Sequence, residues 1–316
     1  MEITCFLQTN KLYNSEANQI AAKITELTRE CYAKWLVSLK YVLDQTDVDS
    51  ALSRQCEFCD TVITQLKNNL IDLCRNPKFC ERMGKSGRSF SDTKMAIGLL
   101  GIENCRLLLP ILMVKPLLKW DDPSTKLIAP KLWQNMILTA NVTRLRLLEA
   151  GIKSPEQEIA LGILRTMSQF SIVNNFPLIF EDALVERMQF YREENRREEY
   201  YACAEIKPTM GVLPEALMRL EKALTRKIVE HIEWCPNNIH LKHALLEDLD
   251  DTPVTDRSPY GVALPQGQAY SIYDALERSH VFVEKHKPFW FANVQMPPDA
   301  LKTIRDCHPG RIELHK

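Results

Sequence analysis

Ser154 to Asn175, SPEQEIALGILRTMSQFSIVNN, decides the fold. Ser154 can cap a helix, Pro155 suits its first turn, and Gln157 stands where a capping box takes Glu or Gln. Ile159, Ile163, Met167 and Phe170 then recur at helical steps, with Ala160 and Leu164 beside them, so one face is apolar. Asn174, Asn175 and Pro177 are expected to end the helix.

Upstream, Trp133, Ile137, Ala140 and Leu147 or Leu148 share one helical face that starts near Pro130, with Gly151 placed to terminate it. Only a few residues separate this segment from Ser154, so the two helices should pack as antiparallel neighbours. Arg144 falls on the same face. A snorkelling surface arginine is the commoner outcome there, and a buried, paired cation the rarer one.

The same period extends through the rest of the chain. Residues 1 to 76 hold neither Gly nor Pro, and Leu52, Cys56, Cys59, Ile63, Leu66, Leu70 and Leu73 alternate steps of four and three. This is a helix-packing seam, within one chain or across a homodimer. Lys94 to Leu100 forms a short helix that stops at Gly101. A second restarts at Glu103 and, nearly apolar all round, should be the buried spine. Charged helix follows Phe180, a further helix spans Leu213 to Trp234, and a short one spans Ile239 to Leu249. Asp250 to Gln268, rich in Asp, Pro and Gly, reads as a linker or long loop. Ala269 to His286 and Asp299 to Asp306 read as helices around a tail. No alternation of period two persists, so the fold class is all-α, a multi-helix bundle. The expected divisions are a helical lead-in at 1–49, a helical domain at 50–250, and a linker, helix and packed tail at 251–316.

With 45% hydrophobic and 26% charged residues, a chain of 316 residues can bury a substantial core. A formal charge of −1 gives no general attraction for nucleic acid or anionic membranes. The most apolar stretch, Ile97 to Leu118, is broken by Glu103, Asn104, Arg106, Pro110 and Lys115, and no signal peptide is apparent. The ten cysteines scatter through helix interiors, which points to a reducing, cytoplasmic setting. Cys56 and Cys59 form a lone CxxC on an apolar stripe and read as core.

All seven histidines lie at position 231 or later. His240, His243 and Glu247 could form a ligand face on one helix, but lack a second group at a readable spacing. The common nucleophile, zinc-protease, dinucleotide and phosphate-loop patterns are absent, and no cofactor is implied. On chemistry alone the chain is a helical binding or interaction protein.

Several short blocks, in order, resemble the HDOD family, the HD-related output domains of bacterial signalling proteins. They are Arg75-Asn76-Pro77-Lys78-Phe79, Ala96-Ile97-Gly98-Leu99-Leu100-Gly101, Trp133 with Ala140, Gly162 to Ser168, and Trp234 with Cys235-Pro236 leading to Leu245. The resemblance covers roughly residues 50 to 250. It implies an HD-like helical bundle and a signalling output or adaptor role exercised on protein partners. In active HD phosphohydrolases the Gly162–Ser168 block carries a metal-binding His-Asp pair. Here those positions are Arg165 and Thr166. The resemblance therefore implies a module without phosphohydrolase chemistry, the rival being a phosphohydrolase with ligands relocated to His240, His243 and Glu247. Arg165, with Arg144, could line a vestigial pocket that holds an anion; the alternative is an ordinary surface or interdomain salt bridge.

Overall fold

The computed structural model describes residues 60–82 and 93–314, apart from 116, 117, 119, 121–124, 154, 157, 207–212, 233, 235, 237 and 313. The lead-in at 1–49 and the Cys56/Cys59 pair lie outside the described residues. Every regular element among the described residues is helical, as the periodicity requires. In chain order they are α1 (Asp60–Arg75), α2 (Pro77–Arg82), α3 (Thr93–Leu100), α4 (Ile102–Val114), α5 (Ala129–Glu149) and α6 (Ile159–Glu193). Then come α7 (Arg197–Glu205), α8 (Leu213–His231), α9 (Ile239–Leu249), α10 (Pro259–Arg278), α11 (Lys287–Ala292) and α12 (Pro298–Asp306). None of the described helices is long and apolar enough to cross a membrane.

Helix α5 is the axis of the bundle, packed by α10 on one side and α6 on another. Its end is set by local chemistry. Gly151 has φ of 84°, its N–H bonds the Leu148 carbonyl, and the Ile152 N–H bonds the Leu147 carbonyl at 3.0 Å. That is the Schellman pattern, which a residue with a Cβ would strain.

Both neighbours approach α5 through glycines. A Cβ on Gly162 of α6 would sit 2.4 Å from the Ala140 Cα, and one on Gly267 of α10 would sit 2.5 Å from the Thr139 carbonyl oxygen. No L side chain fits between backbones that close. Apolar side chains fill the remaining space: Met136, Ala140, Ile159, Ile163, Phe170 and Leu264 are buried in one cluster with Leu107 and Leu109 of α4. Helix α4 is largely buried, as its composition predicted, but it flanks α6, and the central helix is α5. A second cluster, Leu138, Val142, Tyr270, Tyr273, Phe291 and Ile304, ties α11 and α12 to the other side of α5.

Two expectations are corrected here. Helix α6 begins at Ile159 and runs through Pro177 to Glu193 instead of ending before the proline. Proline removes one backbone hydrogen bond, a local loss of ~3 kcal/mol in an exposed helix interior. Here α5 and α8 pack on α6, and so does α7, which doubles back after the left-handed Asn195. Packing of this kind can override a local penalty.

The second correction concerns Asp250 to Gln268. Most of it is helix: α10 starts at Pro259, capped by Ser258, whose Oγ accepts from the Gly261 N–H at 3.1 Å. Gly261 and Gly267 mark close packing, not a loop.

Candidate functional site

Arg165 and Thr166 stand on the buried first half of α6. Thr166 Oγ1 donates to the Gly162 carbonyl at 2.8 Å, one turn back along its own helix. Its polar group is satisfied without reaching a neighbour.

Arg165 does reach its neighbours. Its Nε donates to Asp248 Oδ2 at 2.7 Å on α9, and its Nη1 to Glu221 Oε1 at 2.5 Å on α8. Only 7% of the Arg165 side chain and 9% of the Asp248 side chain are exposed, so water screens this pair little. Burial alone would lower the guanidinium pKa; Asp248 and Glu221 more than reverse that and hold it charged. The other oxygen of Asp248 lies 3.5 Å from Arg257 Nη1. Arg257 is itself held by the Thr252 carbonyl at 2.7 Å. Two guanidinium and two carboxylate groups therefore balance across the junction of α6, α8, α9 and the turn before α10.

The polar chain continues inward. Gln169 Nε2 donates to Glu221 Oε1 at 3.0 Å, and Asn135 Nδ2 donates to Gln169 Oε1 at 3.4 Å. Asn135 Oδ1 accepts from Ser271 Oγ at 2.7 Å, and Thr139 Oγ1 donates to Ser271 Oγ at 3.0 Å. The chain links α5, α6, α8, α9 and α10, and in a low-dielectric interior each satisfied member fixes the next.

Sequence reasoning isolated Arg165 but missed Asp248, Glu221 and Arg257. The acidic run Glu247-Asp248-Leu249-Asp250-Asp251 was the available signal. Besides Asp248, Asp250 pairs with Arg226, and Asp251 lies 2.7 Å from Lys222.

Arg144 occupies a different place. It is buried, not snorkelling, and its Nε lies 3.4 Å from Asn141 Oδ1. Asn141 Nδ2 in turn donates to the carbonyls of Pro309 and Arg311 at 3.0 Å. Arg144 thus stands where the tail docks on α5, while Arg165 stands at the α6, α8 and α9 junction. For Arg165 the geometry contains a salt bridge, but one buried among α6, α8 and α9 rather than an ordinary surface pair.

His240, His243 and Glu247 share α9 but meet different surroundings. His240 Nε2 lies 3.3 Å from Glu158 Oε1, and its ring packs on Tyr260 at 4.6 Å. His243 is exposed. Glu247 accepts from the Ser258 N–H at 3.1 Å and from Ser258 Oγ at 2.8 Å, so it fastens the start of α10. No group of three or more His, Cys, Asp or Glu side chains among the described residues is placed to hold a metal ion. No protein-family model, curated protein or solved structure matches the chain.

Proposed function

We propose that this chain is a non-catalytic signal-transduction module of the HDOD type, working in the cytoplasm as an output or adaptor element through contacts with protein partners. One observation carries the reading: Arg165, where the resemblance would put the catalytic His-Asp pair, is a buried arginine held by two carboxylates. A guanidinium there repels a metal ion, and Asp248 and Glu221 already serve Arg165. Thr166, bonded to its own helix, offers no carboxylate in place of the missing aspartate. The residues that the resemblance would assign to chemistry act as a clamp between helices. The free, buried thiols of Cys74, Cys80, Cys105 and Cys203 fit a reducing compartment.

The rival, a phosphohydrolase with relocated ligands, draws less support because Glu247 is engaged at Ser258 and His243 faces solvent. Metal analysis of the purified full chain, paired with hydrolysis of bis-p-nitrophenyl phosphate in added manganese, separates the two. The adaptor reading expects sub-stoichiometric metal and no turnover above buffer. Stoichiometric metal lost on His240→Ala, or turnover lost with it, would overturn that reading.

A further inference from the structure

The segment that leaves α12 crosses α5 as a strap. His308, with φ of 48°, turns it out of the helix, and the Arg311 N–H returns to the His308 carbonyl at 2.9 Å. Pro309 and Gly310 are therefore the middle of a β-turn, where proline in the second position is preorganised. Pro309 is buried, Gly310 and Arg311 are exposed, and Ile312 and Leu314 are half-buried against the first apolar cluster. Ile304 of α12 lies in the second cluster, so the strap runs from one cluster to the other.

Asn141 on α5 holds the strap by its backbone. Its Nδ2 donates to the Pro309 and Arg311 carbonyls, both at 3.0 Å, and Arg144 Nη2 donates to its Oδ1 at 3.3 Å. The buried guanidinium thus orients the amide, and the amide reads two carbonyls of one turn. Asn141 is 2% exposed, and an amide so deeply buried is costly unless a chain supplies those carbonyls. None of these contacts depends on the strap's covalent link to α12. Main-chain hydrogen bonds for affinity, with alternate side chains for specificity, are a mode by which folded proteins take peptides. A segment without regular structure, fastened by a turn and two half-buried side chains, opens at lower cost than a packed helix.

We propose that this groove on α5 docks a segment of a protein partner, a Pro-Gly turn followed by an apolar-x-apolar step, the chemistry of Pro309 to Leu314. The chain's own strap occupies the groove until a partner segment of that chemistry displaces it. The proposal deepens the adaptor reading by naming the partner's chemistry. It shares no residue with the Arg165 junction, and binding is measured apart from metal content and turnover, so either reading can fail alone.

The test is fluorescence anisotropy of a labelled peptide of residues 308–316 with the full chain. Ile312→Asp, a substitution on the strap itself, should release the strap and let the peptide bind about tenfold tighter than to the wild type. Adding Asn141→Asp keeps the side chain's size and a partner for Arg144 but removes the amide donor. It should weaken peptide binding by at least about tenfold. A peptide of the same residues in scrambled order should bind at least about tenfold more weakly than the native order. Far-ultraviolet dichroism checks that both variants are folded. The wild type gives a second measurement that needs no substitution: excess unlabelled peptide should hasten hydrogen exchange at the Arg311 amide and leave the α5 amides unchanged. Equal affinity for the wild type and Ile312→Asp, binding that survives Asn141→Asp, a scrambled peptide that binds as tightly, or Arg311 exchange indifferent to peptide would overturn the proposal. So would a wild-type dimer that is lost on Ile312→Asp, which would assign the groove to the strap of a second copy.

Discussion

Arg165 on α6 and Asp248 on α9 lie 83 residues apart in sequence and meet at 2.7 Å with both side chains buried. The pair is more than a pairwise contact, because Asp248 also faces Arg257 and Arg165 also holds Glu221. Removing Asp248 takes a carboxylate from two buried cations, leaving Arg165 with Glu221 alone and Arg257 with backbone carbonyls. Breaking one side of a buried ion pair typically costs ~3–5 kcal/mol, because the partner is left charged and unpaired. Asp248→Ala should therefore lower the urea midpoint strongly. Arg165→Met combined with Asp248→Leu should recover part of that loss, since it removes the most deeply buried cation, while Arg257 and Glu221 each still lose a partner. A double substitution as unstable as the single one would show that the pair is not the source of the effect.

The glycines on either side of α5 make opposite demands from a surface glycine. At Gly162 an added methyl meets the Ala140 backbone, which cannot yield as a flexible side chain would. Gly162→Ala should destabilise by at least the ~1–3 kcal/mol typical of overpacking. Gly98 lies inside α3, exposed, and a Cβ added there would have nothing within 4 Å. Gly98→Ala should stabilise by ~0.5–1 kcal/mol, because it removes backbone freedom from the unfolded chain. Thermal melts of the two variants should move in opposite directions.

These residues also show what can be read from a sequence and what cannot. The stop at Gly101, the Schellman end at Gly151, and α9 and α12 follow from chemistry within a few residues, and all are legible there. Gly261, Pro265 and Gly267 resemble loop signals, yet two of them serve contacts with Glu247 and with α5. Such contacts leave no local trace. Pro177 is another case: the packing that carries α6 past it comes from helices distant in sequence. For the candidate site, Arg165 itself stood out in the sequence, whereas its partners at 221 and 248 did not. Charge pairing between helices has no fixed spacing to search for.

Glu247 ties two helices by holding both the N–H and the hydroxyl of Ser258, and that hydroxyl in turn caps α10. Ser258→Ala removes the cap and should cost ~1 kcal/mol. Glu247→Ala leaves the cap but loses its anchor, and should destabilise by a comparable amount, ~1–2 kcal/mol. The two share one network, so the double variant should cost less than the sum of the singles. Full additivity in chemical unfolding would show that Glu247 and Ser258 act separately. The same measurements should be indifferent to a chelator if Glu247 is a structural residue.

Alkaline pH probes the thiols and phenols buried in the two clusters. Burial pushes the Cys74 thiol up from 9.0 to about 11, with Cys80 beside it adding to the shift. Burial likewise raises Cys105 to about 12, helped by Cys74, and Tyr270 from 10.0 to about 12, helped by Asp274. Above their ordinary pKa values the unfolded chain releases these protons while the folded chain keeps them. The folded state then binds more protons, so stability must fall as pH rises. Below about pH 9 these groups should contribute almost no pH dependence, and the decline should run from there up through the raised values. Urea midpoints measured at about pH 8 and about pH 10.5 should differ, and Cys105→Ala should make that difference smaller. A midpoint that stays flat across the two conditions would contradict the assignment. Thiol labelling adds a second readout on the native protein at neutral pH. Cys307, only partly buried, should be modified well before Cys74 and Cys105, which carry little thiolate and are shielded. Those two should react at the rate at which the bundle opens, and a denaturant that leaves Cys307 labelling unchanged should accelerate them.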